Sequence, residues 1–405
     1  MYMDILLYYL LRRIFVRMEL TAECVSLTKG LILRRRSEIP VRSIIKVELR
    51  RTVLLRLLRA KRVEISTLSG GVFFYLHEGE PLPFLPRYDG AHITAKPLQS
   101  AAGAFIDTRA LSGVVTFALF LNRLGNVFGS DSFSRIMSAM LGAAEGVTNL
   151  LAMLHIGVPR VTALMAVFIG AAWLFVFLRK LLAMQRFRLS CQGGYITVRR
   201  GILTLYECWL VRDNLTAVLR CDTLTTLLTR AAPLYAHDVL IYPPVSRSAA
   251  DRILTRLCGL RLPDGEDVRP PLSALFGHCA APLGWLGAFA AALLVTFIAE
   301  PVAADLVQSL LWSGAAVSLW FAAAYAVYMR HSRAARSCGM TGLTFRRGAR
   351  LYTAVIPDRK IALTVTGRNV FQRFSGMCDI TAACAGKKRY KLRNVPYCAI
   401  RRLFM

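Results

Sequence analysis

No C-x-x-C pair occurs in this chain. Its ten cysteines, Cys24, Cys191, Cys208, Cys221, Cys258, Cys279, Cys338, Cys378, Cys384 and Cys398, are scattered, whereas a zinc site needs clustered ligands and a disulfide framework a regular spacing. No metal is expected, and scattered thiols in basic segments point to a reduced state facing a cytoplasm. Also missing are G-x-S-x-G, H-E-x-x-H and the phosphate-cradling G-x-x-x-x-G-K-[ST]. The six histidines are His77, His92, His155, His237, His278 and His331, of which His77 and His237 have carboxylate neighbours, Glu78 and Asp238. Adjacent residues on a strand point apart. The reading is therefore not an enzyme and without a cofactor, with Asp222, Asp358 and Asp379 as surface or turn carboxylates. Acids are scarce, 24 against 52 Lys and Arg, a formal charge of +28. Those cations lie beside apolar runs and are not interleaved with aromatics in a stacking platform, so nucleic acid is not expected as a partner.

What the sequence has in abundance is apolar surface: 55% of its residues are hydrophobic, with a mean hydropathy of +0.45. Spanning a bilayer takes about 20 such residues. The clearest runs are Val161–Leu178, Pro282–Ile298 and Leu306–Met329, with a weaker one at Leu111–Phe128 interrupted by Asn122 and Arg123. A charge at mid-bilayer costs at least ~2.5 kcal/mol unless it snorkels or is partnered. Arg179, Lys180, Arg186 and Arg188 follow one run and Arg330, Arg333 and Arg336 another, which places those ends inside. The connection Ala299–Asp305 carries two acids and no cation, as an outer loop should. Pro282–Met329 thus reads as a helical hairpin, and Leu111–Leu178 as a second one whose connection, Phe133–Leu154, has helical apolar spacing and lies on the membrane. Residues 1–18 begin apolar and reach Arg12-Arg13 within three helical turns. They read either as an interfacial anchor or as the stump of a longer helix, without the n-region and cleavage site of a signal peptide.

Between the apolar runs one phrase recurs. ITVRRG spans Ile196–Gly201, LTFRRG spans Leu343–Gly348, and a fainter copy, VSLTKG, spans Val25–Gly30. Apolar alternation closed by glycine is what a half-buried strand ending in a tight turn needs. Ile44, Leu215 and Ile361 follow the three glycines at 14, 14 and 13 residues, and LLRLL (Leu54–Leu58), LTTLL (Leu224–Leu228) and VFQRF (Val370–Phe374) follow in turn. A domain has been copied, its hairpin with it. Within each copy the signals are mainly β, and the second ends in a helical segment from Arg247 with Ser248 as its cap.

A membrane hairpin preceding a β unit, the phrase at Ile196–Leu203 and Leu343–Gly348, and Ile39-Pro40 followed by Ile44-Ile45, echoed by Ile356-Pro357 followed by Ile361, together resemble the bacterial pleckstrin-homology (PH) domain membrane proteins of the YdbT type. Leu210-Val211 departs from the Ile-Pro pattern in the second copy. The resemblance implies PH-like units of seven strands and a C-terminal helix on the cytoplasmic face, with no enzymatic activity to carry over.

The expected fold class is a multi-domain membrane protein: three small β-rich PH-like domains, each a barrel or sandwich with a C-terminal helix, separated by transmembrane hairpins. The expected boundaries are an N-terminal anchor at 1–18, units at 19–109, 187–269 and 333–405, and hairpins at 110–180 and 279–330. Gly30, Gly201 and Gly348 are the turns that define the repeat. Cations gather at Arg34-Arg35-Arg36 and Arg50-Arg51, at Arg199-Arg200, and at Arg346-Arg347 with Lys387-Lys388-Arg389. These are the candidate lipid contacts, each cation near an acidic surface contributing ~1 kcal/mol. Because strand neighbours alternate, paired arginines should face opposite ways, giving a shallow electrostatic face instead of a pocket. The expected function is a non-enzymatic scaffold in a bacterial cell membrane, multi-pass, with cytoplasmic units that contact anionic phospholipid, a partner protein, or one another through membrane helices or strand edges. The alternative is an accessory subunit of an envelope transport or antimicrobial-peptide-resistance system.

Overall fold

The computed structural model describes residues 16–29, 35–67, 70–86, 92–107, 130–153, 160–261, 267–299, 304–337, 339–384 and 388–404. Gly30, Arg34, Lys387 and the apolar run Leu111–Phe128 lie outside them. In chain order the first unit contains β1 (Val16–Leu20), β2 (Cys24–Lys29), β3 (Arg35–Pro40), a 3₁₀ turn (Val41–Ser43), β4 (Ile44–Arg51), a short helix (Val53–Leu57), β5 (Ala60–Thr67) and β6 (Gly71–His77). A short strand, β7 (His92–Thr94), and the helix Pro97–Asp107 follow. The second unit repeats the order with β8 (Arg188–Gln192), β9 (Tyr195–Arg200), β10 (Leu205–Val211), a 3₁₀ turn (Arg212–Asn214), β11 (Val218–Asp222), the helix Leu224–Thr229, β12 (Ala231–Ala236), β13 (Val239–Ser246) and the helix Arg247–Ile253. After β14 (Asp267–Val268) and two long helices comes the third: β15 (Arg333–Ser337), β16 (Met340–Arg347), β17 (Arg350–Pro357), a 3₁₀ turn (Asp358–Lys360), β18 (Ile361–Gly367), the helix Val370–Phe374, β19 (Met377–Cys384), β20 (Arg389–Pro396) and the helix Tyr397–Phe404. β1 starts at Val16, inside the segment read as anchor.

The recurring sequence features acquire structural reasons. Gly201 and Gly348 have positive φ, 99° and 62°, and a Cβ at Gly201 would lie 2.0 Å from the Thr204 carbonyl oxygen. The three leucine- or phenylalanine-rich phrases are the short helices, each too short to persist alone. Each starts at a side-chain cap: Thr52 accepts from the Leu55 amide, Thr223 from Thr226 and Asn369 from Gln372. The helix at Arg247 takes Ser246, not Ser248, as its N-cap residue. His237 and Asp238 are not strand neighbours; both have positive φ in the turn joining β12 to β13.

Alternation in the sequence foretold strands but not their partners across repeats. The units are not separate sandwiches, because each of the two large sheets is shared: β6-β5-β4-β10-β9-β8-β7, and β13-β12-β11-β17-β16-β15-β14, with β1-β2-β3 and β18-β19-β20 as outer sheets. In each shared sheet the fourth strand of one unit pairs antiparallel with the third strand of the next, β4 with β10 and β11 with β17. Three cores result, one per unit, each enclosed between the unit's two half-sheets. The first holds Val47, Leu49, Val63, Ile65 and Phe74, the second Leu189, Ile196, Val198, Leu234 and Ile241, and the third Leu343, Phe345, Ile380, Leu392 and Val395. Residues cross the boundaries: Trp209 of the second unit completes the first core, and Val355 of the third completes the second. Each fully buried side chain of this size is worth ~1.5–3 kcal/mol, so neighbouring units stabilise one another.

Among the described residues four long helices run between units, Ser130–Met153, Arg160–Met184, Leu275–Ala299 and Ala304–His331. Among the described residues, two segments are long and apolar enough to cross a membrane, Val167–Met184 and Leu272–Thr296. Leu275–Ala299 and Ala304–His331 pack as an antiparallel pair, with Cys279 Sγ 3.5 Å from the Ala322 carbonyl and Phe289 so close to Gly314 that an added Cβ would lie 2.7 Å away. Gly284 and Gly287 have no such neighbour. The helix Pro97–Asp107 is wedged through Gly103 against Met184 and Pro244, tying the first unit to both the Arg160–Met184 helix and the second unit.

Candidate functional site

The two junctions between units gather very different chemistry. At the first, β4 and β9 bring four of the expected lipid-contact cations together, and three of them, Arg50, Arg51 and Arg199, are ion-paired. Glu48, 3% exposed, receives Lys46 Nζ at 2.6 Å and Arg50 Nη2 at 2.6 Å. Arg51 binds Glu78 at 2.6 Å and lies 3.7 Å from Glu207, and Arg199 binds Glu207 at 3.0 Å. Arg50 and Arg200 lie over the Tyr206 ring, 5.6 and 4.9 Å from its centre. Burial pushes the Glu48 carboxyl up, but its bonds to Lys46 and Arg50 outweigh that and hold it below the ordinary range. Burial likewise pushes the Cys208 thiol up to about 12, leaving it inert.

At the second junction the same strand pairing encloses a cleft of about 550 Å³. Six arginines line it, Arg220, Arg230, Arg247, Arg269, Arg330 and Arg333, with His331 and a single carboxylate, Asp222. Local structure places each one. Arg220 and Asp222 alternate on β11; Arg230 takes the left-handed conformation that ends the Leu224–Thr229 helix; Arg247 opens the helix after β13. Arg330 and His331 end the long helix Ala304–His331, where cations suit the negative end of the helix dipole. Arg220 pairs with Asp222 at 3.2 Å, and Arg269 and Arg333 share Asp267 at 3.0 and 2.7 Å. Among the described residues Arg230, Arg247 and Arg330 have no ion pair within 4 Å. Asp222 is 4% exposed, not the surface carboxylate its sequence suggested, and burial raises its pKa against the pull of Arg220. The Leu224–Thr229 helix beside the cleft packs through Leu224 and Leu227 on Tyr325 and Tyr328 of the long helix. Such a cleft suits an anion with several acceptor oxygens, since guanidinium groups bind phosphate-like groups in paired fashion.

The expected cations of the third unit do come together. Arg346, Arg347, Lys388 and Arg389 line a second cleft of about 590 Å³ with Lys391 and Arg393, in which Lys388 meets Asp238 at 3.2 Å. Arg346 is half-buried, its guanidinium 3.5 Å from the Tyr325 ring centre, while Arg347 is exposed; both nevertheless line the one cleft. In the first unit Arg36 pairs with Glu38 at 2.8 Å; the backbone of Arg35 is on β3, and its side chain lies outside the described residues. The six cleft arginines escaped sequence reading as a site: Arg330 and Arg333 read as topology signals, and Arg247 only as the start of a helix. They are single cations spread from 220 to 333, without a run to mark them.

Residues 2–98 match the sequence model of the family described as Bacterial PH domain. No curated protein and no solved structure matches the chain. The first unit, β1 to β7, falls within that match, so a PH-like domain stands at the N-terminal end of a chain built from several β-sheets and long helices.

Proposed function

We propose that this protein is a non-enzymatic membrane scaffold whose three repeated units, all PH-like and cytoplasmic, hold anionic lipid headgroups, the cleft of the second junction being the principal contact. The observation that carries this reading is the cleft itself: six guanidinium groups facing one carboxylate at the end of the Ala304–His331 helix. The PH likeness of residues 2–98 extends to the other units through the repeated order of strands, 3₁₀ turn and capped helix. Bilayer proximity is supported by large apolar side chains left bare along the helical pair, among them Leu294, Ile298, Trp312 and Trp320, a surface that lipid would cover. The short helices lie at the ends of the long ones: Arg56 donates to the Ile202 and Leu203 carbonyls just beyond the Arg160–Met184 helix. Their tips expose Leu57 (85%), Leu228 (84%) and Phe374 (88%), side chains suited to the headgroup–acyl boundary.

The test uses the full chain purified in neutral detergent. Its thermal midpoint should rise on adding an anionic phospholipid, stay unchanged with a zwitterionic one, and lose the rise with salt. Inorganic phosphate at equal charge separates a headgroup in a lipid from a free anion. An equal rise with both lipids would remove the headgroup reading.

A further inference from the structure

We propose that copies of this chain associate head to tail, β3 of one copy completing the open edge of β18 in another. The proposal rests on the repeat and does not depend on the membrane reading. In the first two units the fourth strand, β4 or β11, is flanked on both sides, its outer partner being the third strand of the next unit. Among the described residues β18, the fourth strand of the third unit, pairs with β19 alone, and β3, the third strand of the first, pairs with β2 alone. The molecule thus presents both halves of a junction it already makes twice.

Both internal junctions have the same register relative to the 3₁₀ turns. Leu210 lies two residues before its turn begins at Arg212, and its partner Lys46 lies three after the other turn ends at Ser43. Val355 lies three before Asp358, and its partner Val218 lies four after Asn214. The second count exceeds the first by one in both cases. Applied to Val41 and Lys360, where the corresponding turns begin and end, the rule pairs Ile39 with Leu363, Glu38 with Thr364, Ser37 with Val365 and Arg36 with Thr366.

The exposed chemistry agrees. β18 reads IALTVTG, without charge or proline, whereas open edges are ordinarily guarded by one or the other. Its Leu363 is 58% exposed and its Val365 45%, while Ala217 and Leu219, at the matching places on β11, pack into the next unit's core. Where Trp209 and Val355 plug the preceding core, β3 carries Glu38, paired with Arg36, and the strand it would face offers Thr364 and Thr366 in place of Val47 and Leu49. Polar meets polar on that face and Ile39 meets Leu363 on the other. The contact is therefore weaker than the internal junctions and concentration-dependent. It is also heterologous, so repetition gives a ring if the rotation closes and a filament if it does not.

The experiment is thiol cross-linking of the full chain, in detergent and in membranes, with Cys398→Ser removing the exposed native thiol. One preparation carries Ser37→Cys and another Val365→Cys. The expected result is a cross-linked dimer only when the two are mixed, and a ladder of higher oligomers when one chain carries both. Leu49→Cys with Glu207→Cys, which face each other across the first internal junction, reports that the chain is folded and the chemistry works. With that control positive, no dimer in the mixture overturns the proposal. So does a dimer from either single variant alone, which would mean a symmetric contact, or equal yield when Thr366→Cys replaces Val365→Cys.

Discussion

Strand pairing is the same at the two internal junctions, and the side chains on it could hardly differ more. Where β10 carries Glu207, β17 carries Thr353, four residues before the end of each strand; where β4 ends in Arg51, the matching place on β11 is Asp222. The first junction buries a large aromatic, Trp209, and closes its cations with Glu48, Glu78 and Glu207. The second buries the smaller Val355 and leaves a hollow lined by arginines. One backbone solution, duplicated, thus serves cohesion in one place and offers a charged cleft in the other. Paired cations are spent on structure, so unpaired ones mark the candidate site.

The largest effect that would break this contrast is expected at Trp209. Trp209→Ala empties part of the first core and should cost ~3–5 kcal/mol, whereas Val355→Ala should cost roughly 1–2 kcal/mol. Denaturant unfolding of the two variants checks the ratio. A smaller effect sits beside the second junction. Burial, followed by nearby Lys388, lowers the His237 pKa from 6.5 to about 4. The unfolded chain therefore binds the proton first as pH falls, and stability present at neutral pH is lost between about 6.5 and 4, by at most roughly 3 kcal/mol. His237→Asn, which tolerates the positive φ, should flatten that loss in thermal melts across the window.

At the first junction the acid dependence has another source. The Glu48 pKa is depressed, so its contribution is present above the unfolded value and lost as pH falls through the folded one. Glu48→Gln should cost ~1.5–3 kcal/mol at neutral pH and remove that low-pH limb. The smallest effect belongs to the second junction: because Asp222 is held with a raised pKa, Asp222→Asn should leave the thermal midpoint within a degree or two. It should also strengthen anionic-lipid binding severalfold, by titration, since it removes the carboxylate that opposes an anion. A large loss of stability would assign Asp222 to structure.

Much of this fold was legible. The glycine phrases, the spacing to Ile44, Leu215 and Ile361, and the three short apolar phrases all mark equivalent elements, because turn and cap chemistry is local and written in adjacent residues. What sequence could not supply was the sharing of sheets. Alternation says which residues share a face but nothing about which strand lies beyond an edge, so Trp209 read as part of its own unit. The candidate site was half legible for the same reason. Clustered cations such as Arg346 and Arg347 were visible, and several of those at the first junction proved to be ion-paired. The cleft arginines are assembled only by topology, from β11, three helix termini, the residue that follows β14 and the start of β15.

The most direct test reverses charge at each junction in turn, with binding of the full chain to anionic vesicles as the readout. Arg230→Glu with Arg247→Glu, neither of which gives up an ion pair among the described residues, should abolish salt-sensitive binding while the thermal midpoint holds. Arg199→Glu should lower the midpoint and leave binding intact below it. Retained binding in the cleft variant, or lost binding in a folded Arg199→Glu protein, would contradict the division of labour between the two junctions.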